Sequence, residues 1–233
     1  MGKLFEGLLN LIYPPRCLVC GRLREDPLCD ECFSSLPLIE FPICLNCGKP
    51  CNLQTNECRE CRGKHFHFRM ARAAGLYDGN LREAIHRFKY HNGKRLAPVF
   101  AQLMISRAER ELFDVDLITY VPLSRGRECK RGFNQSRLLA MEISLRVDKP
   151  CEGVLIKAKE TVEQNKLSLE ERRKNVRGVF SPSSKADLRN KAILLIDDVL
   201  TTGATVNECS KILLAQGANR VNVLTIARST IYH

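Results

Sequence analysis

The chain has 233 residues, enough for one α/β domain of ordinary size with a small appendage. Its 44% hydrophobic content is that of a globular protein, and no apolar run approaches the ~20 residues that a membrane-spanning helix needs, which argues against membrane insertion. The net charge of +11 is unevenly placed: residues 1–64 carry eight basic and eight acidic side chains, whereas residues 65–233 carry 29 and 18, so the second part suits a polyanion or is a solvated basic surface.

At the start, apolar residues recur at helical spacing from Lys3 to Tyr13, but Glu6 interrupts them and no small-residue cleavage site follows. This predicts a short packed helix in place of a signal peptide, and a cytoplasmic protein. Nine of the twelve cysteines then fall between Cys17 and Cys61, and eight of them form C-x-x-C pairs. Pairs at that spacing chelate metal, whereas disulfide frameworks rarely repeat it, so a reducing compartment is expected. Cys17, Cys20, Cys29 and Cys32 have eight residues between the pairs, and Cys44, Cys47, Cys58 and Cys61 have ten. Each first pair is followed by glycine, CLVCGR and CLNCGK, which lets the backbone turn tightly and direct N–H groups at the thiolates. Two successive zinc ribbons follow. Four thiolates close each site to water, so the metal is structural and supplies folding energy that a segment this short and poor in large apolar residues lacks. Spacing alone leaves open a single ion, or a cross-braced pairing of the same eight cysteines. Cys51 is a bystander thiol or a substitute ligand, and Cys129, Cys151 and Cys209 read as ordinary residues, because no paired histidine of the kind a catalytic cysteine needs is visible.

A second domain is expected from His65. A strand ends near Tyr77, Asp78 and Gly79 turn, and a helix follows with Leu81, Ile85 and Phe88 on one face. Its other face carries Arg82, Arg87, Lys89 and His91 and reads as solvated. An amphipathic helix is predicted over 96–112 with Pro98 in its first turn, then a buried strand over 116–121 that stops at Pro122. Next comes a basic loop with Arg125, Arg127, Lys130 and Arg131, after which Asn134 opens a helix through Leu138, Leu139, Met141 and Ile143. A cationic loop at the carboxyl end of a strand suits a diphosphate; the alternative is a basic surface turn. Val154, Ile156 and Ala158 suggest an edge strand. The polar stretch from Thr161 to Lys166 is a candidate mobile loop that closes over a reacting sugar, and Ser168 with Glu171 forms a capping box. A strand over 178–180 and a turn over 181–186 lead to the most informative stretch.

That stretch is KAILLIDDVLTTGAT, Lys191 to Thr205. The run from Ala192 to Ile196 predicts a strand buried on both faces. Asp197 and Asp198 follow, then the small residues Thr201, Thr202, Gly203, Ala204 and Thr205 lead into a helix that Gly217 caps, and a last strand covers 220–227. A loop of small residues entering a helix aims several unpaired N–H groups at one point, where the macrodipole adds positive potential. The acids sit at the carboxyl end of the strand, where open α/β sheets bind their ligands, and a carboxylate there can accept hydrogen bonds from vicinal hydroxyls. Together these parts describe a site for a ribose 5-phosphate; the plainer alternative is a strand end beside a helix cap. Strands alternating with helices imply a parallel sheet covered on both faces.

DDVLTTGAT preceded by ILLI resembles the phosphoribosyl-pyrophosphate (PRPP) motif of type I phosphoribosyltransferases. With CLVCG, CLNCG, AIHRFKYHNG, RGFNQ and ETVEQNKLSLEERRKNVRGVF in this order, the chain as a whole resembles the ComF competence proteins, which join a double zinc ribbon to a phosphoribosyltransferase-like domain. The resemblance implies an α/β fold with a type I phosphoribosyltransferase-like parallel sheet, a zinc module over 1–64 and the transferase-like domain over 65–233. It assigns Asp197 and Asp198 to the ribose hydroxyls, directly or through Mg2+, and Thr201 to Thr205 to the 5-phosphate. It places the pyrophosphate near Arg125, Arg127 and Arg131, and adds Lys89, Gln164, Arg172 and Asn175 as site-lining positions. The partners it implies are PRPP, single-stranded DNA taken up in natural transformation, and competence-machinery proteins such as a DNA-translocating helicase. Two readings remain: transfer of phosphoribosyl to an acceptor, or a non-catalytic zinc-containing module that binds single-stranded DNA and keeps a sensory or unused PRPP site.

Overall fold

The computed structural model describes residues 14–53, 55–90, 93–158, 176, 178–183 and 187–229, with Glu111 by its backbone alone. The expected N-terminal helix, His91, the stretch from Thr161 to Lys166, the capping box of Ser168 and Glu171, and Gln164, Arg172 and Asn175 all lie outside the described residues.

The central sheet has four strands, all parallel, in the order β1–β6–β5–β2. They are β1 (Met70–Leu76), β2 (Leu117–Tyr120), β5 (Ala192–Leu200) and β6 (Arg220–Arg228). In β5, Leu194 and Ile196 face one core while Ile193 and Leu195 face another, so the apolar run is buried on both sides as parallel sheets require. One face is covered by α2 (Gly79–Lys89), α3 (Ala97–Ser106) and α5 (Gln135–Val147), and the other by α6 (Ala204–Ala215) with a small hairpin. That hairpin pairs β3 (Leu155–Lys157) antiparallel with β4 (Phe180–Pro182), so the expected edge strand joins a separate sheet.

Local chemistry explains most boundaries. Asp78 caps α2 through Gly79 N–H, and Asn134 caps α5 by accepting from Arg137 N–H. The helix expected over 96–112 is broken: a 3-10 turn over Gly93–Leu96 precedes α3, and another over Arg110–Phe113 follows it. The basic segment after Pro122 is a short helix, α4 (Arg125–Arg131), where a loop was expected. None of its residues is buried, so it carries no apolar periodicity; Gly132, at φ 76°, ends it. β5 runs on to Leu200, which puts Asp197 and Asp198 inside the strand, with Asp197 in register with Thr225.

The cysteine-rich segment, whose one described helix is α1 (Asp30–Ser34), lies along the open edge of β1. Ile39 N–H bonds Ala74 carbonyl at 3.0 Å, Leu76 N–H bonds Pro37 carbonyl at 2.8 Å, and Ala71 N–H bonds Asn46 carbonyl at 2.9 Å. An edge that could otherwise pair with another chain is therefore occupied. Cys17, Leu28, Cys29, Cys32 and Leu36 join the same core as α2 and α3. No described helix is long and apolar enough to cross a membrane.

Candidate active site and zinc centres

The eight paired cysteines form two sequential clusters, Cys17/Cys20/Cys29/Cys32 and Cys44/Cys47/Cys58/Cys61, each with its sulfurs within 4.8 Å of one another. A zinc–sulfur distance of about 2.3 Å puts tetrahedral sulfurs about 3.8 Å apart. Cys20 and Cys29 are 3.7 Å apart, Cys47 and Cys58 3.7 Å, and Cys44 and Cys61 3.9 Å. The donor sets fit two zinc ions, one per ribbon, without cross-bracing. Cys29 N–H points at Cys17 Sγ and Cys58 N–H at Cys44 Sγ, each at 3.4 Å, so the two ribbons repeat the same contact to their first thiolate. The glycine after each pair supplies the left-handed turn, with φ 76° at Gly21 and 69° at Gly48, and donates to a cysteine carbonyl instead of a sulfur.

The second ribbon is tied to the sheet by two buried arginines. Arg72 of β1 holds Glu109 with Nε and Leu45 carbonyl with Nη1, and Arg228 of β6 holds Cys47 carbonyl at 2.8 Å and Glu60 at 3.1 Å. Burial pushes Glu60 up, but Lys49 and Arg228 more than offset this and hold it below the usual carboxylate range.

At the carboxyl ends of the strands lies a cavity of about 350 Å³. Asp197 and Asp198 line it. Ser136 hydroxyl donates to Asp197 Oδ1 at 3.0 Å, Asp198 N–H donates to the same oxygen at 2.9 Å, and Lys89 Nζ meets Asp198 Oδ2 at 3.0 Å. Burial and the neighbouring Asp198 charge push Asp197 up to about 7, against which Ser136 and Lys89 pull only in part. The helix face that read as solvated thus delivers Lys89 to the acid pair.

Cations surround the acids from three elements. α2 contributes Lys89, with His86 beside it in the cavity wall, α4 contributes Arg127, Lys130 and Arg131, and β3 contributes Lys157. Arg131 is fixed by a 3.2 Å bond to Tyr90 hydroxyl, by its position over the Tyr90 ring and by Gln135. Thr201, Gly203, Ala204 and Thr205 also line the cavity, and Gly203, at φ 77°, is the residue from which α6 starts. Thr202 turns away and accepts from Ala204 N–H at 3.2 Å, and Arg125 is exposed at the head of α4, outside the cavity walls. Tyr90, Ser136 and Lys157 belong to the site without having been singled out by the sequence. Ser136 is the second residue of α5 and Lys157 lies on a strand outside the main sheet, so only the folded chain brings them to the acids.

Residues 8–62 match the double zinc ribbon domain family, and residues 134–231 match the phosphoribosyl transferase domain family. β1 and β2 lie before the second match yet are hydrogen-bonded into the same sheet. Competence protein F of Haemophilus influenzae is 31% identical over 224 residues, which cover 92% of this chain and 97% of that protein. The chain belongs to the ComF family. Competence protein ComFC of Bacillus subtilis is 30% identical, covering 88% of this chain and 85% of its own, and DNA utilization protein YhgH of Escherichia coli is 28% identical, covering 94% and 99%. The type I phosphoribosyltransferase-like fold and the preceding ribbon are therefore features this ComF chain shares with its family.

Proposed function

We propose that this protein binds PRPP with Mg2+ in the cation-lined cavity and serves a competence-type role in handling single-stranded DNA. The observation that carries the first half is the single cavity in which a paired carboxylate, a helix-opening loop of small residues and an arc of five Lys and Arg side chains converge. The loop N–H groups suit the 5-phosphate, the acid pair suits the ribose hydroxyls or their metal, and Lys130, Arg131 and Arg127 suit the pyrophosphate, whose departure needs charge stabilisation. Asp197, poised near neutrality, is the group here with the proton affinity to change state during binding or transfer. Gln164, Arg172 and Asn175 remain in this reading as further ligand contacts, and residues 1–64 as the zinc module preceding the transferase-like domain.

The DNA role draws on the names of the relatives and on the basic balance of residues 65–233. Calorimetric titration with PRPP and Mg2+ tests the site. Saturable binding that disappears in the Asp197→Ala, Asp198→Ala double variant is expected; heat that is absent, or unchanged in that variant, defeats the proposal. Binding of single-stranded DNA should fall steeply with salt, as phosphate contacts require. No binding even at low salt removes the DNA half and leaves the PRPP half standing.

A further inference from the structure

A second cavity, of about 150 Å³, lies between the second thiolate cluster and the phosphate loop. It shares Leu200, Thr201 and Gly203 with the first cavity, so one loop forms a wall of both. Its remaining walls come from the ribbon, from the linker that carries Phe66 and Phe68, and from the end of β6.

Three features define what fits there. The first is a flat aromatic wall: Phe66 stacks on Phe68 with centroids 4.8 Å apart and planes at 27°. Phe66 is only half-buried, and the linker is pinned where His67 N–H meets Asn207 Oδ1 of α6. The second is an unmet donor. Arg228 is 4% exposed, and its Nε has no hydrogen-bond acceptor among the described residues, although Nη1 and Nη2 are satisfied. A buried donor left this way costs free energy; Nε itself is covered by the cavity wall, so a ligand acceptor recovers that cost once a small shift of the Arg228 side chain uncovers it. The third is charge balance. Lys64 and Arg228 share the walls with Glu60, which Arg228 bonds directly, and with Cys47 and Cys61 of the second cluster, whose four thiolates around a zinc ion carry a net negative charge, so the walls carry no excess positive charge for a second phosphate.

A flat ligand with an apolar face, polar edges and no net charge meets all three conditions. We propose that this cavity binds a neutral nucleobase, stacked on Phe66 and accepting a hydrogen bond from Arg228. Thr202 and Ser229 also line it, on the side of the loop away from the first cavity. The base belongs either to a free nucleoside or to a nucleic-acid strand. The inference does not rest on the PRPP reading, since no group it uses recognises sugar or pyrophosphate.

The absence of tryptophan makes the test direct. The full chain loaded with zinc is titrated with 2-aminopurine riboside and, separately, with a short single strand carrying one 2-aminopurine, and fluorescence quenching is followed. Stacking on an aromatic ring is expected to give saturable quenching that weakens about 5- to 150-fold in Phe66→Ala. Ser229→Leu, which fills the cavity from the sheet side, should weaken it comparably, and zinc content and circular dichroism check that both variants are folded. Binding of riboside and strand alike assigns the cavity to bases from any source; binding of the strand alone assigns it to nucleic acid. Absence of saturable quenching by both probes, or quenching untouched by both variants, overturns the proposal. Loss of PRPP binding in the acid-pair variant with quenching retained leaves it standing.

Discussion

Asp197 carries its charge where burial and an adjacent carboxylate both oppose it. Its pKa of about 7, against an ordinary 3.8, means that the folded chain holds a proton there that the unfolded chain has released. The stability contribution is therefore complete below about pH 4 and is lost as pH rises through about pH 7. Asp197→Asn keeps the shape without the charge. It should be more stable than the wild type at about pH 8, with the difference vanishing near about pH 4; thermal melts of the ligand-free proteins across that interval check this, and parallel curves would show that Asp197 does not titrate in it. The proposed PRPP–Mg2+ affinity of the wild type should move the other way, falling below pH 7 as protons compete with the ligand. Lys89 bonds Asp198 and lowers Asp197. Lys89→Gln should accordingly raise the Asp197 midpoint further, measurable by following its side-chain carboxyl by NMR. The acid pair itself was legible because adjacent acids, small residues and a helix pattern are contiguous in sequence. Lys89, Ser136 and Tyr90 were harder: the first two lie on helices whose periodicity predicts their buried faces and Tyr90 just past the end of α2, while nothing in a single chain says which polar residue meets another element's loop.

Among the elements, the two ribbons offer a controlled comparison. Gly21 and Gly48 occupy the same place in the C-x-x-C-G turn, both at positive φ. A Cβ at Gly21 would meet nothing within 4 Å, whereas one at Gly48 would lie 2.6 Å from Ala71 carbonyl, part of the backbone of β1. Gly21→Ala should cost about 1–2 kcal/mol, the price of the left-handed conformation alone. Gly48→Ala must also push the ribbon off β1, and it should destabilise the zinc-loaded protein distinctly more in denaturant titrations; equal losses would mean that the second ribbon does not bear on the sheet. The repeat was visible from the cysteines, yet its attachment was not, because the atoms that close on Gly48 are backbone and leave no trace in residue type. α4 shows a different blind spot. Ser124 at its start, Gly132 past its end and Lys130 with Arg131 in its last turn are all helix-end signals, but a helix with no buried residue has no apolar stripe to announce it.

For the whole molecule, zinc is expected to support more than the ribbons. The first cluster contributes Cys17, Cys29 and Cys32 to the core that also holds Leu81, Ile85 and Phe88 of α2 and Phe100 of α3. The second cluster forms its own small core and reaches the sheet through Arg72 and Arg228, both nearly buried. Structural zinc in small modules contributes about 10–16 kcal/mol of folding free energy, as much as a whole domain's usual net stability of about 5–15 kcal/mol. Stripping both ions should therefore unfold the ribbons, uncover the β1 edge that Pro37 and Ile39 now occupy, and cost Arg72 its bond to Leu45 carbonyl and Arg228 its bond to Cys47 carbonyl. A single cooperative transition at lower temperature, with aggregation, is expected when a thiol-reactive agent and a chelator remove the metal. The two sites should not be equivalent. Cys29→Ser with Cys32→Ser removes side chains from the shared core, while Cys58→Ser with Cys61→Ser disrupts only the small one, so the first pair should lower the melting temperature of the parallel sheet more. Circular dichroism of the helices that cover the sheet, read beside zinc release, measures this. Retention of the wild-type melting temperature after both ions are gone would show that the transferase-like domain stands without its ribbon.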